Sequence, residues 1–314
     1  MTGIIEVENL VKRYKKATMN AVDDISFRVE PGEFFALLGP NGAGKTTTIS
    51  VLTTTLLPTS GNVRIAGYDV VRDASNVRKQ IGIIFQKPSL DMNLTAEENV
   101  RMHAILYGLY PFRPMYSLMP KVYKDKITEL AEILGIRAEI FKPIKTFSGG
   151  MKRKLEIVRS LIHDPRVLFL DEPTTGLDPI SRRNLWEYLT RVRRESETTI
   201  FLSTHYLEEA EQADSICIID HGKIVSYGTP AALKDQYSEK FMLIDASDRS
   251  ALRAELESMG IAYQEAEKIR IDLNGSTVHQ IVKQIQTPLI QIQPHIQSLE
   301  DVYLAIVEKS VEEE

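Results

Sequence analysis

Residues 39–47 read "GPNGAGKTT" and follow the apolar run "EFFALL" at 33–38. The next stretch, "TTTISVLTTTLL" at 46–57, reads as a helix, so the glycines fall between a strand and a helix. In that setting Gly39, Gly42 and Gly44, with Pro40, Asn41 and Ala43 between them, let successive backbone N–H groups turn inward. They would surround a polyphosphate at the positive end of the following helix. Lys45 would reach the β- and γ-phosphates, the Thr46 hydroxyl is placed to ligate Mg²⁺, and Thr47 completes the pattern. A glycine turn without that strand and helix would mean little.

Downstream, "VLFLDEP" at 167–173 puts two carboxylates where an apolar strand ends. Such a pair more often opens a loop than a site. Beside a phosphate loop the balance reverses: Asp171 would hold Mg²⁺, usually through water, and Glu172 would polarise an attacking water. Between the two motifs stands "FSGGM" at 147–151, directly before the helical text "KRKLEIVRSLIHDP". Alone, Ser-Gly-Gly is a helix N-cap.

The surrounding text alternates strand and helix. "RVLFLD" precedes "PISRRNLWEYLTRVRRES", "TTIFLS" precedes "HYLEEAEQAD", and "SICIID" precedes a glycine turn and "KIVSYG". Such alternation predicts an α/β fold with a largely parallel sheet, joined here by antiparallel strands near the N-terminus ("IIEVENL", "ISFRV") and by a helical subdomain at about 94–164. "TAEE" at 95–98 is a capping-box start for that subdomain. Within it, "YGLYPFRPMYSLMPKVYK" at 107–124 interrupts the helical pattern. "GTPAALKDQYSEK" is a junction, so the expected domains are 1–238 and 239–314. The second is expected to be a small α+β domain with strands at 241–246, 261–266, 268–273 and 289–293 and helices at 250–259, 276–286 and 298–309. Without the last helix this is the β-α-β-β-α-β order of ferredoxin-like domains.

The 314 residues are 43% hydrophobic and 26% charged, an ordinary globular balance that can bury a core. A net charge of −5 argues against a nucleic-acid partner. The single cysteine, Cys217 in "SICIID", builds no disulfide framework; it reads as a core residue and fits a cytoplasmic location. No apolar run approaches the ~20 residues that cross a bilayer, so a membrane role would run through a partner.

Taken together, the three motifs in this order resemble the ATP-binding cassette family of transport ATPases over roughly residues 3–230. The resemblance implies a P-loop NTPase cassette that binds ATP and Mg²⁺ and dimerises head to tail. It implies that Tyr14 stacks on adenine, and that Gln86 senses Mg²⁺ and the attacking water. Ser148, Gly149 and Gly150 would contact the γ-phosphate bound to the opposite protomer. Asp178 would line the dimer interface, and His205 in "LSTH" would contact the γ-phosphate and orient Glu172. Phe147 and Met151 stand where the commoner signature loop has Leu and Gln, which leaves the phosphate-contacting core intact.

The texture of 147–179 and the C-terminal "SLEDVYLAIVE" further resemble the ATPase subunits of bacterial drug-resistance exporters of the daunorubicin type. These pair with separate transmembrane permease subunits, which implies a cytoplasmic chain held at the membrane by its partner, and a tail with a role in assembly. Tyr110, Phe112 and Tyr116 would then help to receive a helix of that partner, or equally belong to a partly buried helix–helix connection. Export of polysaccharide or lipid is the competing reading, and a non-transport cassette ATPase is the more distant one.

Overall fold

The apolar runs at 33–38, 167–171 and 199–204 become neighbouring strands of one sheet. The structure, a computed structural model, describes residues 3–312 except 86–88, 176, 238–239, 274 and 296–297; Gln86 thus lies outside the described residues. It divides into two units, Met1–Thr229 and Pro230–Glu314.

In the first unit a six-stranded sheet runs in the order Lys223–Gly228, Ser215–Asp220, Phe34–Leu38, Thr199–Thr204, Val167–Asp171, Ile81–Ile84. The last five are parallel and the first pairs antiparallel. All residues of the three central strands are buried, which is why they read as unbroken apolar runs instead of alternating ones. A second, antiparallel sheet orders Val22–Val29, Ile5–Lys12, Ser60–Ile65 and Tyr68–Asp69. Its strand Val22–Val29 alternates, burying Val22, Ile25, Phe27 and Val29.

The two sheets share one core. Phe27 stacks on Phe35 with ring centroids 5.2 Å apart, Phe35 on Phe201 at 5.0 Å, and Phe201 lies 5.2 Å from Phe169. Truncating Phe201 to Ala at the centre of this stack would cost about 3–5 kcal/mol. Cys217 is part of this core, fully buried, and burial pushes its thiol up to about 12. It is a packing residue.

The helix after the phosphate loop is shorter than its sequence promised. It spans Lys45–Leu52, because the Thr53 hydroxyl bonds back to the Ile49 carbonyl at 2.8 Å and Thr54 turns left-handed (φ 61°). A run of β-branched threonines offers little to carry it further. The expected helix in "HYLEEAEQAD" shrinks to Leu207–Ala210, while Ala74–Gln80 forms a helix whose one buried residue, Val77, leaves no periodicity to read. The helical subdomain contains Ala96–Leu106, Lys121–Ile133 and Gly149–Leu161. Thr95 and Glu98 form the capping box that starts its first helix.

The second unit is a four-stranded antiparallel sheet, ordered Gln264–Glu265, Ile269–Asp272, Phe241–Ala246, Leu289–Pro294. The helices Arg249–Ser258 and Val278–Val282 supply Leu252, Leu256 and Ile281 to a core with Met242, Ile244, Ile269 and Ile271. Element order along the chain is β-α-β-β-α-β-α. Two elements are shorter than read: only Gln264–Glu265 of 261–266 pairs, and only Val278–Val282 of 276–286 is helical. The helix Pro230–Tyr237, which the sequence reading leaves in the first domain, groups with the second unit, where its buried Leu233 packs near the helix Leu299–Glu312. Ser298 and Asp301 of "SLED" cap that last helix reciprocally, and Leu299, Val302 and Ile306 are its buried stripe. Among the described residues no helix is long and apolar enough to cross a membrane.

Candidate functional site

Register places the site. Parallel pairing sets Leu38 against Thr204 and Asp171 against Ser203, so three strands end at one level. The loops that leave them, 39–44, 172–178 and 205–206, therefore emerge side by side at the carboxyl edge of the sheet, where open α/β sheets hold their ligands.

In the phosphate loop Gly42 is left-handed at φ 87° with open space around it, and the other two glycines are crowded. A Cβ on Gly39 would sit 2.2 Å from the Ile219 carbonyl oxygen, and one on Gly44 (φ 108°) 2.5 Å from that of Ala21. The helical ladder opens with the Thr48 N–H on the Gly44 carbonyl (2.9 Å), which leaves the N–H groups of Lys45, Thr46 and Thr47 ahead of it. Lys45 is buried, and its ammonium donates to the Gly39 and Pro40 carbonyls at 2.7 and 2.9 Å. Burial pulls its pKa down, against the raising influence of Glu172 and Asp171.

The carboxylates follow directly. Asp171 Oδ1 accepts from the Ser203 hydroxyl and lies 3.5 Å from the Thr46 hydroxyl. Burial raises its pKa, with the Ser203 hydrogen bond opposing. A hydroxyl and a desolvated carboxylate converging beside a phosphate loop form an oxygen donor set of the kind Mg²⁺ takes alongside phosphate oxygens. Among the described residues no cluster of three or more His, Cys, Asp or Glu could hold a metal by itself. Glu172 is buried with φ 46°, a left-handed backbone that costs a non-glycine residue about 1–2 kcal/mol. Its N–H donates to the Ser203 carbonyl (3.0 Å), its Oε1 lies 3.1 Å from His205 Nδ1, and Oε2 receives the Thr175 hydroxyl at 3.5 Å. A carboxylate held by an imidazole at the edge of a phosphate cradle is placed to take or orient a water proton.

Tyr14 stands at the margin of the loop, half exposed, with its hydroxyl 3.3 Å from Thr47 Oγ1 and the Lys12 ammonium 5.7 Å from its ring centroid. A half-exposed ring beside residues 39–47 leaves surface on which a base can stack.

The "FSGGM" loop stands apart. The Ser148 hydroxyl accepts from the Met151 N–H at 3.3 Å and caps the helix Gly149–Leu161. Among the described residues no hydrogen bond joins Ser148, Gly149 or Gly150 to residues 39–47. A Cβ added to Gly149 would meet nothing within 4 Å. Asp178 precedes the helix Pro179–Ser196 and its carbonyl accepts the Arg182 N–H at 2.9 Å. Two cavities of the first unit, about 430 and 310 Å³, lie against that helix and touch no phosphate-loop residue.

Sequence reasoning passed over the residues that hold these loops. Glu209, buried, accepts the hydroxyls of Thr174 and Thr204 and so ties the loop after Glu172 to the strand end before His205. Arg153, also buried, donates to main-chain carbonyls on both sides of the site. The signal was present: charged residues at 153 and 156 stand among the apolar positions 155, 157 and 158 of a helix buried on nearly every side.

A family model for ABC transporters matches residues 22–175. The daunorubicin/doxorubicin resistance ATP-binding protein of Streptomyces peucetius is 39% identical over 259 residues, 82% of this chain and 74% of that protein. The Nod factor export ATP-binding protein I of Ralstonia nicotianae is 40% identical over 233 residues, 74% of this chain and 69% of that protein. Among solved structures, an ATP-binding subunit of an ABC transporter superposes with a TM-score of 0.66 at 32% identity, covering 74% of this chain and 93% of that one. A cassette solved as a dimer with ADP and Pi scores 0.64 over 72% of this chain and 98% of its own, at 24% identity, and extends the likeness of fold alone.

Proposed function

The chain belongs to the family of ABC transporter ATP-binding subunits, and from that premise we propose that two copies clamp head to tail around two ATP molecules and power export through a separate membrane subunit. The observation that carries this reading is the half-built site. Lys45, Asp171, Glu172 and His205 converge on one chain, while among the described residues the capped helix start at Ser148–Gly150 makes no hydrogen bond to residues 39–47 and a Cβ on Gly149 would meet open space.

In this scheme the N–H groups ahead of the 45–52 helix and the Lys45 ammonium cradle the β- and γ-phosphates, and Tyr14 stacks on adenine. The site's Mg²⁺, held by Thr46 and, through water, by Asp171 with Gln86, would neutralise phosphate charge. Glu172 takes the proton of the attacking water, and His205 holds Glu172 through Nδ1. Ser148 and the N–H groups of Gly149 and Gly150 meet the γ-phosphate of the partner's ATP, and Asp178 lines the interface. Loss of that phosphate on hydrolysis removes the contacts that hold the dimer closed, and the membrane subunits move with it.

Coupling is assigned to the 107–124 segment. Tyr110 and Tyr116 pack edge-on against buried Tyr123, with centroids 5.7 and 6.4 Å away, so they serve the helical subdomain itself. Phe112, Met115 and Leu118 are 63%, 57% and 51% exposed and present the apolar surface a membrane subunit's helix would cover. We assign the chain to the cytoplasmic face of the membrane on this partnership, and the second unit to assembly or regulation. A drug-like or amphipathic cargo is supported by the daunorubicin/doxorubicin relative. A second reading, export of a different cargo, is favoured by the Nod factor export relative of 40% identity.

Export is tested with inverted vesicles holding the chain and its membrane partner. ATP-driven uptake of a fluorescent anthracycline that Phe112→Ser reduces severalfold, with ATPase of the isolated chain preserved, supports the drug-export reading. ATP-dependent turnover with no anthracycline movement rejects it.

A further inference from the structure

Arg153 is 5% exposed at the start of the second turn of the helix that Ser148 caps, yet it is bonded chiefly to main chain outside that helix. Its Nε donates to the Pro173 carbonyl at 2.8 Å, Nη2 to the Glu172 carbonyl at 3.4 Å, and Nη1 to the Phe85 carbonyl. One turn on, Glu156, fully buried, accepts Nη1 at 3.0 Å and the Ser89 N–H at 3.0 Å. Another turn on, Arg159 donates to the Ser89 carbonyl and hydroxyl, both at 2.7 Å. The three charges sit at i, i+3 and i+6 on one helix face.

What this face grips is informative. A guanidinium donates from a planar fork, and here the fork spans consecutive carbonyls of Glu172, whose backbone is left-handed, and its successor. Such backbone persists only where its surroundings over-determine it. From the sheet side the Glu172 N–H is held by the Ser203 carbonyl at 3.0 Å; from the helix side its carbonyl is held by Arg153. Removing the second hold would let the carboxylate turn away from His205.

We propose that Arg153 is a positioning residue for Glu172, tying the carboxylate's main chain to the helix whose first turn meets the neighbouring protomer's nucleotide. Occupancy at Ser148–Gly150 then reaches Glu172 through a single buried, hydrogen-bonded side chain. The proposal rests on the reading of Glu172 as the group that activates water. Glu156 keeps the guanidinium charged and aimed, and opposes the effect of burial, which lowers the arginine's pKa.

The test uses the full-length chain with Mg·ATP and four variants: Arg153→Gln, Arg153→Lys, Glu172→Gln and the double variant Arg153→Gln with Glu172→Gln. Steady-state ATPase, binding of a fluorescent ATP analogue and thermal melting are read for each. Arg153→Gln is expected to lose about tenfold or more in kcat, the scale on which small misplacements act, with nucleotide affinity within about twofold. Arg153→Lys, which keeps the charge and reaches one carbonyl, should recover part of that loss.

In the Glu172→Gln background, single-turnover rates should be almost indifferent to Arg153→Gln, because the group it positions is gone. Parental kcat in Arg153→Gln, or the same fold-loss in both backgrounds, overturns the proposal. Should Arg153→Gln melt too low to assay, Arg153→Lys decides: a parental rate overturns it, a reduced kcat at unchanged affinity supports it. The failure of the underlying reading looks different, as Glu172→Gln itself would then turn over normally.

Discussion

The two ends of the nucleotide site are built by opposite rules. At the phosphate loop the glycines are explained inside the chain: Gly39 and Gly44 are required because Ile219 and Ala21 carbonyls leave no room for a Cβ, and Gly42 because its backbone is left-handed at φ 87°. At the signature loop Gly149 starts a helix in open space, where alanine would fit and would favour the helix by at most about 1 kcal/mol, the helix-interior value. A residue with a cost and no internal reason implies an external one. In the proposed head-to-tail dimer a γ-phosphate brought by a second protomer would supply it, since an anion approaches backbone N–H groups closest where there is no side chain.

The contrast can be broken or sharpened by mutation. The largest effect should come from the chemistry: Glu172→Gln is expected to cut kcat by about 10²–10⁴ while ATP still binds, as ATPase assays and nucleotide titration will show. Ser148→Arg should abolish turnover nearly as completely, yet leave nucleotide affinity of the isolated chain at its parental value, because among the described residues its loop makes no hydrogen bond to residues 39–47. Loss of affinity in the monomer would erase the distinction between the two ends.

The glycines divide next. Gly39→Ala should lower both melting temperature and ATP affinity, whereas Gly149→Ala should melt at or slightly above the parent, by up to about 1 kcal/mol in stability, and still lose turnover. Equal destabilisation of both would contradict the comparison.

The smallest effect lies in the second unit and depends on pH. Glu255 accepts the Thr287 hydroxyl and the N–H groups of Gln286 and Thr287, which hold its pKa below the ordinary 4.5. A depressed carboxylate stabilises the fold above its unfolded pKa, and the benefit is lost as pH falls through the lower folded value. Glu255→Gln should therefore lower the second unit's melting temperature slightly at about pH 7, and the gap from the parent should close as the pH is taken below about 4. A gap that widens in acid would reverse the sign assigned here.

How much was legible beforehand follows the same division. The phosphate loop, the carboxylate pair and the Ser148 cap could be read because each needs particular residue types at fixed spacing. Burial on both faces made the central strands plain apolar runs. Arg153 and Glu209 could not be read as holders, since their partners lie at the far end of tertiary contacts: Arg153 meets Pro173 twenty positions away and Glu209 meets Thr174 thirty-five away. The strand expected at 261–266 paired only at Gln264–Glu265 because Ile261 and Tyr263 serve the hydrophobic core instead. The sequence pattern shows which side chains turn inward, and the same inward pattern suits a strand or a packed loop.

Mixing two inactive chains tests shared ownership of the site most directly. Lys45→Ala spoils the phosphate end and Ser148→Arg the signature end, so each homodimer is dead at both sites. In an equimolar mixture half the dimers are mixed, and each of these holds one site with both ends intact. Recovery of about a quarter of parental ATPase is the predicted result for a two-fold dimer in which one intact site suffices. A mixture whose ATPase is only the average of the two variants measured separately, or Ser148→Arg turning over at full rate as an isolated chain, would contradict it.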